Sequence, residues 1–271
     1  MDKHGGLWTR RREFESPPGY HCQNSAFVKA GGKRPRFKGV LFDYGHTLVW
    51  FPRYREIQLL SVRNVQRKLW ALGVSVEAQK VKSLIDEYAH RRKSQRVGID
   101  AEFREILSAL GVAGYSENDL HQIIRLHWFP YVQYAQARKG AKDLLRYLKS
   151  RGFRLGIVAN IWSGGMNPAL EKLGLDSFFD ATVASVDVGY QKPDPEIFQL
   201  VLKRLRLDAI EAIMVGDNPT SDIEGAHNLG MCTVRLMRGP NRMEPDAVEA
   251  DFRIKNLSKL ADIACPYQQS I

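Results

Sequence analysis

Three residues stand where apolar runs stop, two more lie close by in loops, and their types suit one kind of chemistry. In "VLFDYGHTLV" (residues 40–49) a hydrophobic run ends in Asp43, and a loose turn holding Gly45, His46 and Thr47 follows. "FRLGIVAN" ends at Asn160, "EAIMVGD" ends at Asp217, and Asp222 comes five residues later. Ahead of these last two, "GYQKPDPEIF" presents Lys192 just before a helix opened by a proline. Three carboxylates, an amide and a lysine suit a hard divalent cation such as Mg²⁺, which takes carboxylate oxygens and keeps several waters. The same set suits a phosphoryl group, whose charge needs both metal and lysine. One position resists acid–base work. Two residues beyond Asp43, where a second carboxylate would serve, stands Gly45.

These side chains meet only if the runs that carry them are parallel strands of one sheet. "FKGVLFD", "FRLGIVAN", "DATVAS", "EAIMVGD", "MCTVRL" and "ADFRI" are short apolar runs that read as strands. Helical patterns separate most of them: "GAKDLLRYLKSRG", "NPALEKLGL", "DPEIFQLVLKRLRL" and "SDIEGAHNLG", with "NLSKLADIA" last. Such alternation implies an α/β fold with a doubly wound parallel sheet and ligands at the carboxyl ends of its strands. Residues 54–130 break the alternation with four helical patterns and no strand. The chain therefore divides into a tail (1–36), an α/β core (37–52 and 131–265) and a helical cap (53–130) inserted after the first strand, over the catalytic edge.

At 271 residues the chain is long enough for this core and a smaller second unit. No apolar run approaches the roughly 20 residues that cross a bilayer. Residues 1–38 hold nine Lys/Arg against three Asp/Glu, so +6 of the net +10 sits there and the remainder is only mildly basic. That distribution weakens a nucleic-acid reading of the charge. The tail is rich in Gly, Pro and Arg without a periodic apolar face, and reads as disordered. Cys22, Cys232 and Cys265 lack metal-type spacing and are odd in number, which fits reduced thiols in a cytoplasm.

The set "FDYGHTL", "VAN", "GYQKPDPEIF" and "VGDNPTSDIEGA" resembles the four motifs of the haloacid dehalogenase-like hydrolases, over residues 38 to about 263. The resemblance implies a Rossmann-like core with a helical cap. It gives Asp43 the role of nucleophile, with Mg²⁺ held by Asp43, the Gly45 carbonyl, Asp217 and Asp222, the last as a ligand or from just behind. Lys192 would pair with Asp43, and Tyr44, Asn160 and Lys192 would hold the phosphoryl group. Two departures stand out. The family's phosphatases usually carry the acid–base carboxyl at the position of Gly45, and a Thr or Ser hydroxyl at that of Ala159.

A Mg²⁺-dependent phosphohydrolase acting on a small phosphorylated molecule is the expected activity. Metal-free dehalogenation is the enzymatic alternative, since those relatives also lack the second carboxylate. A protein that only binds a phosphorylated ligand or partner is the other. His46 is a candidate for proton transfer, because an imidazole titrates near neutral pH, though a turn residue bonded to nearby backbone is the plainer account. Trp50, Phe51 and Arg53 could line a substrate entrance or simply pack. "HRRKSQR" at 90–96 is a candidate anion contact or a solvated helix end.

Overall fold

Four residues, Gly39–Phe42, form the first strand (β1), and all four are buried. Val40 and Phe42 enter one apolar cluster and Leu41 the other, so the strand is covered on both faces. A near-continuous apolar run is what a parallel strand between two helical layers requires. Each large side chain so buried contributes about 1.5–3 kcal/mol. The computed structural model describes residues 37–95, 98–161, 165–237 and 248–265. The tail expected to be disordered, and the side chains of the 90–96 basic run, lie outside the described residues.

After a two-residue strand β2 (Val49–Trp50) come four helices: α1 (Tyr54–Ala71), α2 (Ala78–Gln95), α3 (Ile99–Ala109) and α4 (Glu117–Tyr134). β3 (Gln136–Ala137) then pairs antiparallel with β2. The chain continues through α5 (Ala141–Ser150), β4 (Arg154–Ala159), α6 (Met166–Leu173), β5 (Ala181–Ala184), α7 (Ser185–Val188) and α8 (Pro195–Leu205). It ends with β6 (Ala212–Gly216), α9 (Gly225–Asn228), β7 (Cys232–Leu236), β8 (Phe252–Ile254) and α10 (Leu260–Ala264). The main sheet has the order β5-β4-β1-β6-β7-β8, and every pairing in it is parallel. The order reverses at β1, which places a crevice at the carboxyl ends of β1, β4 and β6. This is the expected doubly wound α/β architecture. Among the described residues no helix is long and apolar enough to cross a membrane.

The four helices after β2 carry an apolar cluster of their own, built on Val65, Leu69, Phe103, Ile106, Leu120 and Ile123. A buried polar contact, Ser61 Oγ to His127 Nδ1 at 2.7 Å, joins α1 to α4. The start of α4 is a capping box, with Ser116 Oγ accepting from the Asp119 amide and Asp119 reaching back to Ser116.

The structure departs from the sequence reading at three places. The two-residue strands β2 and β3 have no signal of their own, and the antiparallel ribbon they form stands where the chain leaves for the helical block and returns. "SDIEGAHNLG" is not one helix. Pro219–Glu224 is a wide π-type turn, and a short helix follows it. The third departure is α4, which runs through Pro130 to Tyr134, whereas the last cap pattern stops short of the proline. Pro130 removes one helical hydrogen bond, but tertiary contacts carry the helix on. The Lys172 ammonium, from α6, donates to the carbonyls of Val132 (3.1 Å), Gln133 and Ala135 (3.4 Å) at the helix end. A cation there satisfies carbonyls that have no helical partner and complements the helix dipole. Lys172→Met is expected to cost about 1 kcal/mol. That is a melting-temperature drop of about 2–4 °C, and calorimetry showing no change would remove Lys172 from this role.

Candidate active site

β1 delivers Asp43 to the carboxyl edge, and its amide still extends the ladder, donating to Val215 O at 2.9 Å. The following turn closes on itself: the amides of Leu48 and Val49 donate to Tyr44 O, and that of His46 to Val49 O. β6, the neighbouring strand, delivers Asp217. Asp222 arrives from the π-type turn, which Asn218 opens by accepting from the amides of Thr220 (3.0 Å) and Ser221 (2.8 Å). Carboxylate oxygens of Asp43, Asp217 and Asp222 lie within 4.8 Å of one another, and all three residues are buried.

Lys192 enters this cluster from the loop ahead of α8. Its ammonium donates to Asp43 Oδ1 at 2.6 Å and to Asp222 Oδ1 at 2.7 Å, and the residue is only 3% exposed. Burial alone would lower the lysine's pKa. The two carboxylates more than offset it, and the net shift is upward. The Asp222 carboxyl is pushed up to about 6, first by burial and further by the charge of Asp43, with Lys192 and the Asn218 amide opposing. Asp222 Oδ2 accepts from the amides of Asp217 (3.1 Å) and Asn218 (2.9 Å), so the side chain ties its own turn to the end of β6.

That tie dictates Gly216. A Cβ there would stand 2.3–2.4 Å from the Asp222 carboxylate and Cβ, so only glycine lets the aspartate fold back under the strand. At Gly45 the reverse holds: a Cβ would meet nothing within 4 Å.

Asn160 does not point its amide into open space. Its Nδ2 donates to Lys192 O at 2.8 Å, and its Oδ1 accepts from Lys192 N at 2.7 Å. Both ends of the amide thus hold the main chain that carries the lysine. Tyr44 buries its ring in the apolar cluster beside Phe51, and burial raises its phenol well above the usual range. His46 sits in the left-handed region (φ 62°) with its ring edge-on to Trp50 at 5.8 Å and Phe51 at 6.2 Å. Arg138 donates to the His46 carbonyl. Two polar contacts went unread in the sequence. Thr47 Oγ1 donates to Asp217 Oδ1 at 3.3 Å, and Ser185 Oγ donates to Ile161 O at 2.8 Å beside Asn160. The only sequence signal for Thr47 was its place in the turn that follows Asp43.

A family model described as haloacid dehalogenase-like hydrolase matches residues 78–236, more than half of the chain. The chain belongs to the haloacid dehalogenase-like hydrolases. A glyceraldehyde 3-phosphate phosphatase of Methanopyrus kandleri is 30% identical to this hydrolase over 241 residues, covering 83% of the chain and 96% of the relative. A HAD phosphatase from Thermococcus onnurineus has a similar structure, with TM-score 0.61 at 25% identity over 84% of this chain and 97% of that one. The 2-haloacid dehalogenase from Pseudomonas syringae is as similar in structure, with TM-score 0.62 at 25% identity over 85% and 99%. The hydrolase is of phosphatase type, and it has phosphatase relatives named for small phosphorylated metabolites.

Proposed function

We propose that this hydrolase is a Mg²⁺-dependent phosphate monoesterase for a small phosphorylated substrate, acting through an aspartyl phosphate on Asp43. The observation that carries the reading is Lys192, nearly sealed from water and bonded at once to Asp43 and Asp222 beside Asp217. Among the described residues three buried carboxylates gather around the Lys192 ammonium, and such a cluster suits a divalent cation. Asp43, Asp217 and the Gly45 carbonyl would hold Mg²⁺, with Asp222 beside them. Because both Asp222 oxygens already accept hydrogen bonds, its larger part is to fix Lys192 and the β6 turn. When bound, the cation supplies neutralisation of phosphoryl charge.

The reaction then follows from the chain's own groups. A carboxylate oxygen of Asp43 attacks phosphorus, the ester bond to the leaving oxygen breaks, and Lys192 stabilises the charge on the transferring group. Water attacks the same phosphorus, the Asp43–phosphorus bond breaks, and inorganic phosphate leaves. Asn160 contributes by fixing the Lys192 backbone. With its ring in the core, Tyr44 can offer a phosphoryl group only its main chain. The helical block, residues 53–130 with α4 continuing to Tyr134, would act as the cap that excludes water and selects the substrate. The odd number of cysteines, without metal-type spacing, supports a cytoplasmic location.

Purified protein is expected to hydrolyse members of a phosphorylated-metabolite panel with Mg²⁺ and to lose at least about 100-fold of that rate in a chelator. Chelator-resistant turnover of 2-haloacids, with no phosphate release, would replace this reading by the dehalogenase one.

A further inference from the structure

In "QARKG" (residues 136–140) two cations stand side by side where the chain returns from the helical block to the core. Lys139 is exposed, as a loop lysine ordinarily is, whereas Arg138 is partly buried. The Arg138 amide closes the β2–β3 ribbon by donating to Leu48 O at 2.8 Å. Its guanidinium stands 6.0 Å from the centre of the Trp50 ring on β2, and Nη2 donates to the His46 carbonyl.

The fold alone gains little from this placement. Among the described residues no carboxylate pairs with Arg138, its Nε–H is buried without a hydrogen-bond partner, and burial lowers its pKa. A cation drawn from water without a counter-charge, and a buried donor left unpaired, both cost stability. What the guanidinium does hold is the main chain of the turn that follows Asp43. His46 is left-handed there (φ 62°), a conformation unfavourable to a residue with a Cβ. Thr47, the next residue, donates its hydroxyl to Asp217 Oδ1 at 3.3 Å. The turn is thus anchored from two sides, by Asp217 through a side chain and by Arg138 through a carbonyl.

We propose that Arg138 is a positioning residue of this hydrolase: by holding the His46 carbonyl it keeps the turn in the conformation that aims Asp43 at phosphorus. The inference rests on the phosphatase reading above. Arg138 acts through the turn and not on the substrate, so its loss should appear in kcat and leave binding nearly unchanged. A reacting group displaced by about 1 Å loses about 10²-fold in rate.

The full-length enzyme with Mg²⁺ is assayed on phenyl phosphate, and hydrogen exchange of the turn amides is followed without substrate. Arg138→Met keeps the stem and removes the donor. It is expected to lower kcat by about 10²-fold with KM within about threefold, and to speed exchange of the His46, Leu48 and Val49 amides by about tenfold. Arg138→Lys retains a cation and should recover at least about tenfold of the lost kcat. Arg138→Gln carries the same expectation as the Met variant and replaces it if that one does not fold. Lys172→Met is the control, because it takes a cation from the carbonyls of Val132, Gln133 and Ala135 on the same returning segment. It should leave kcat within about twofold. The inference is overturned if the Arg138 variants keep kcat within about threefold of the parent, or if the loss falls on KM alone. Turn amides that exchange at the parent rate, or an equal loss of kcat in Lys172→Met, overturn it as well. A parent enzyme that releases no phosphate from phenyl or acetyl phosphate instead sinks the phosphatase reading, and this inference with it.

Discussion

Asp43→Asn is expected to lower phosphate-monoester turnover by at least about 10⁴-fold while leaving the melting temperature within a few degrees of the parent. A group that forms the covalent intermediate has no substitute nearby. Removal of such a unit in other hydrolases costs roughly 10⁴ to 10⁶ in kcat. The fold should not suffer, because the amide keeps the shape of the carboxylate and the cluster holds more acid than base. Lys192 would still have Asp222 at 2.7 Å. Lys192→Met makes the contrast. It too should abolish turnover, but it takes the ammonium from Asp43 and Asp222 beside a third buried carboxylate, and breaking a buried pair by removing one partner costs about 3–5 kcal/mol. Activity assays and calorimetry on the two variants together separate chemistry from stability. Full turnover by Asp43→Asn would end the nucleophile assignment, and an unchanged melting temperature in Lys192→Met would mean that the carboxylates find another counter-charge.

The parts of this site that were legible in the sequence are those where a strand stops. A run buried on both faces must end at a polar residue, so Asp43, Asn160 and Asp217 announce themselves, and strand–helix alternation brings them to one edge. Lys192 and Asp222 were legible from motif context. What was not legible is how side chains divide the work, because that depends on contacts between distant segments. Asn160 lies 32 residues before Lys192, and no local pattern says that its amide will clamp that backbone. Tyr44 stands next to the nucleophile, yet strand alternation turns its ring into the core. Pro130 looks like a stop, and Lys172, 40 residues beyond Val132, helps the helix past it by donating to Val132 O. Gly216 is ordinary in the sequence and is required only by the return of Asp222 under it.

Gly45→Asp is expected to raise kcat on benzyl and glycerol phosphates by about 10²–10⁴, the usual contribution of a positioned general acid. Three observations make the gain accessible. The added Cβ meets nothing within 4 Å, so no neighbour must move. Gly45 is not among the glycines of positive φ; the left-handed residue of this turn is His46, at φ 62°. And the position follows Asp43 by two residues, on the turn that closes through the Tyr44 and Val49 hydrogen bonds. The benefit should be unequal. Phenyl phosphate, whose leaving oxygen needs little help, should gain less than about tenfold, so a plot of log kcat against leaving-group pKa should be steep in the parent and flatter in the variant. A parent plot that is already flat would mean that another acid is in place, and His46 would be the group to remove. With the His46 ring packed edge-on against Trp50 and Phe51, His46→Ala is expected to leave the slope as it was. Equal losses by Gly45→Asp on every substrate would show that the open space does not face the leaving group.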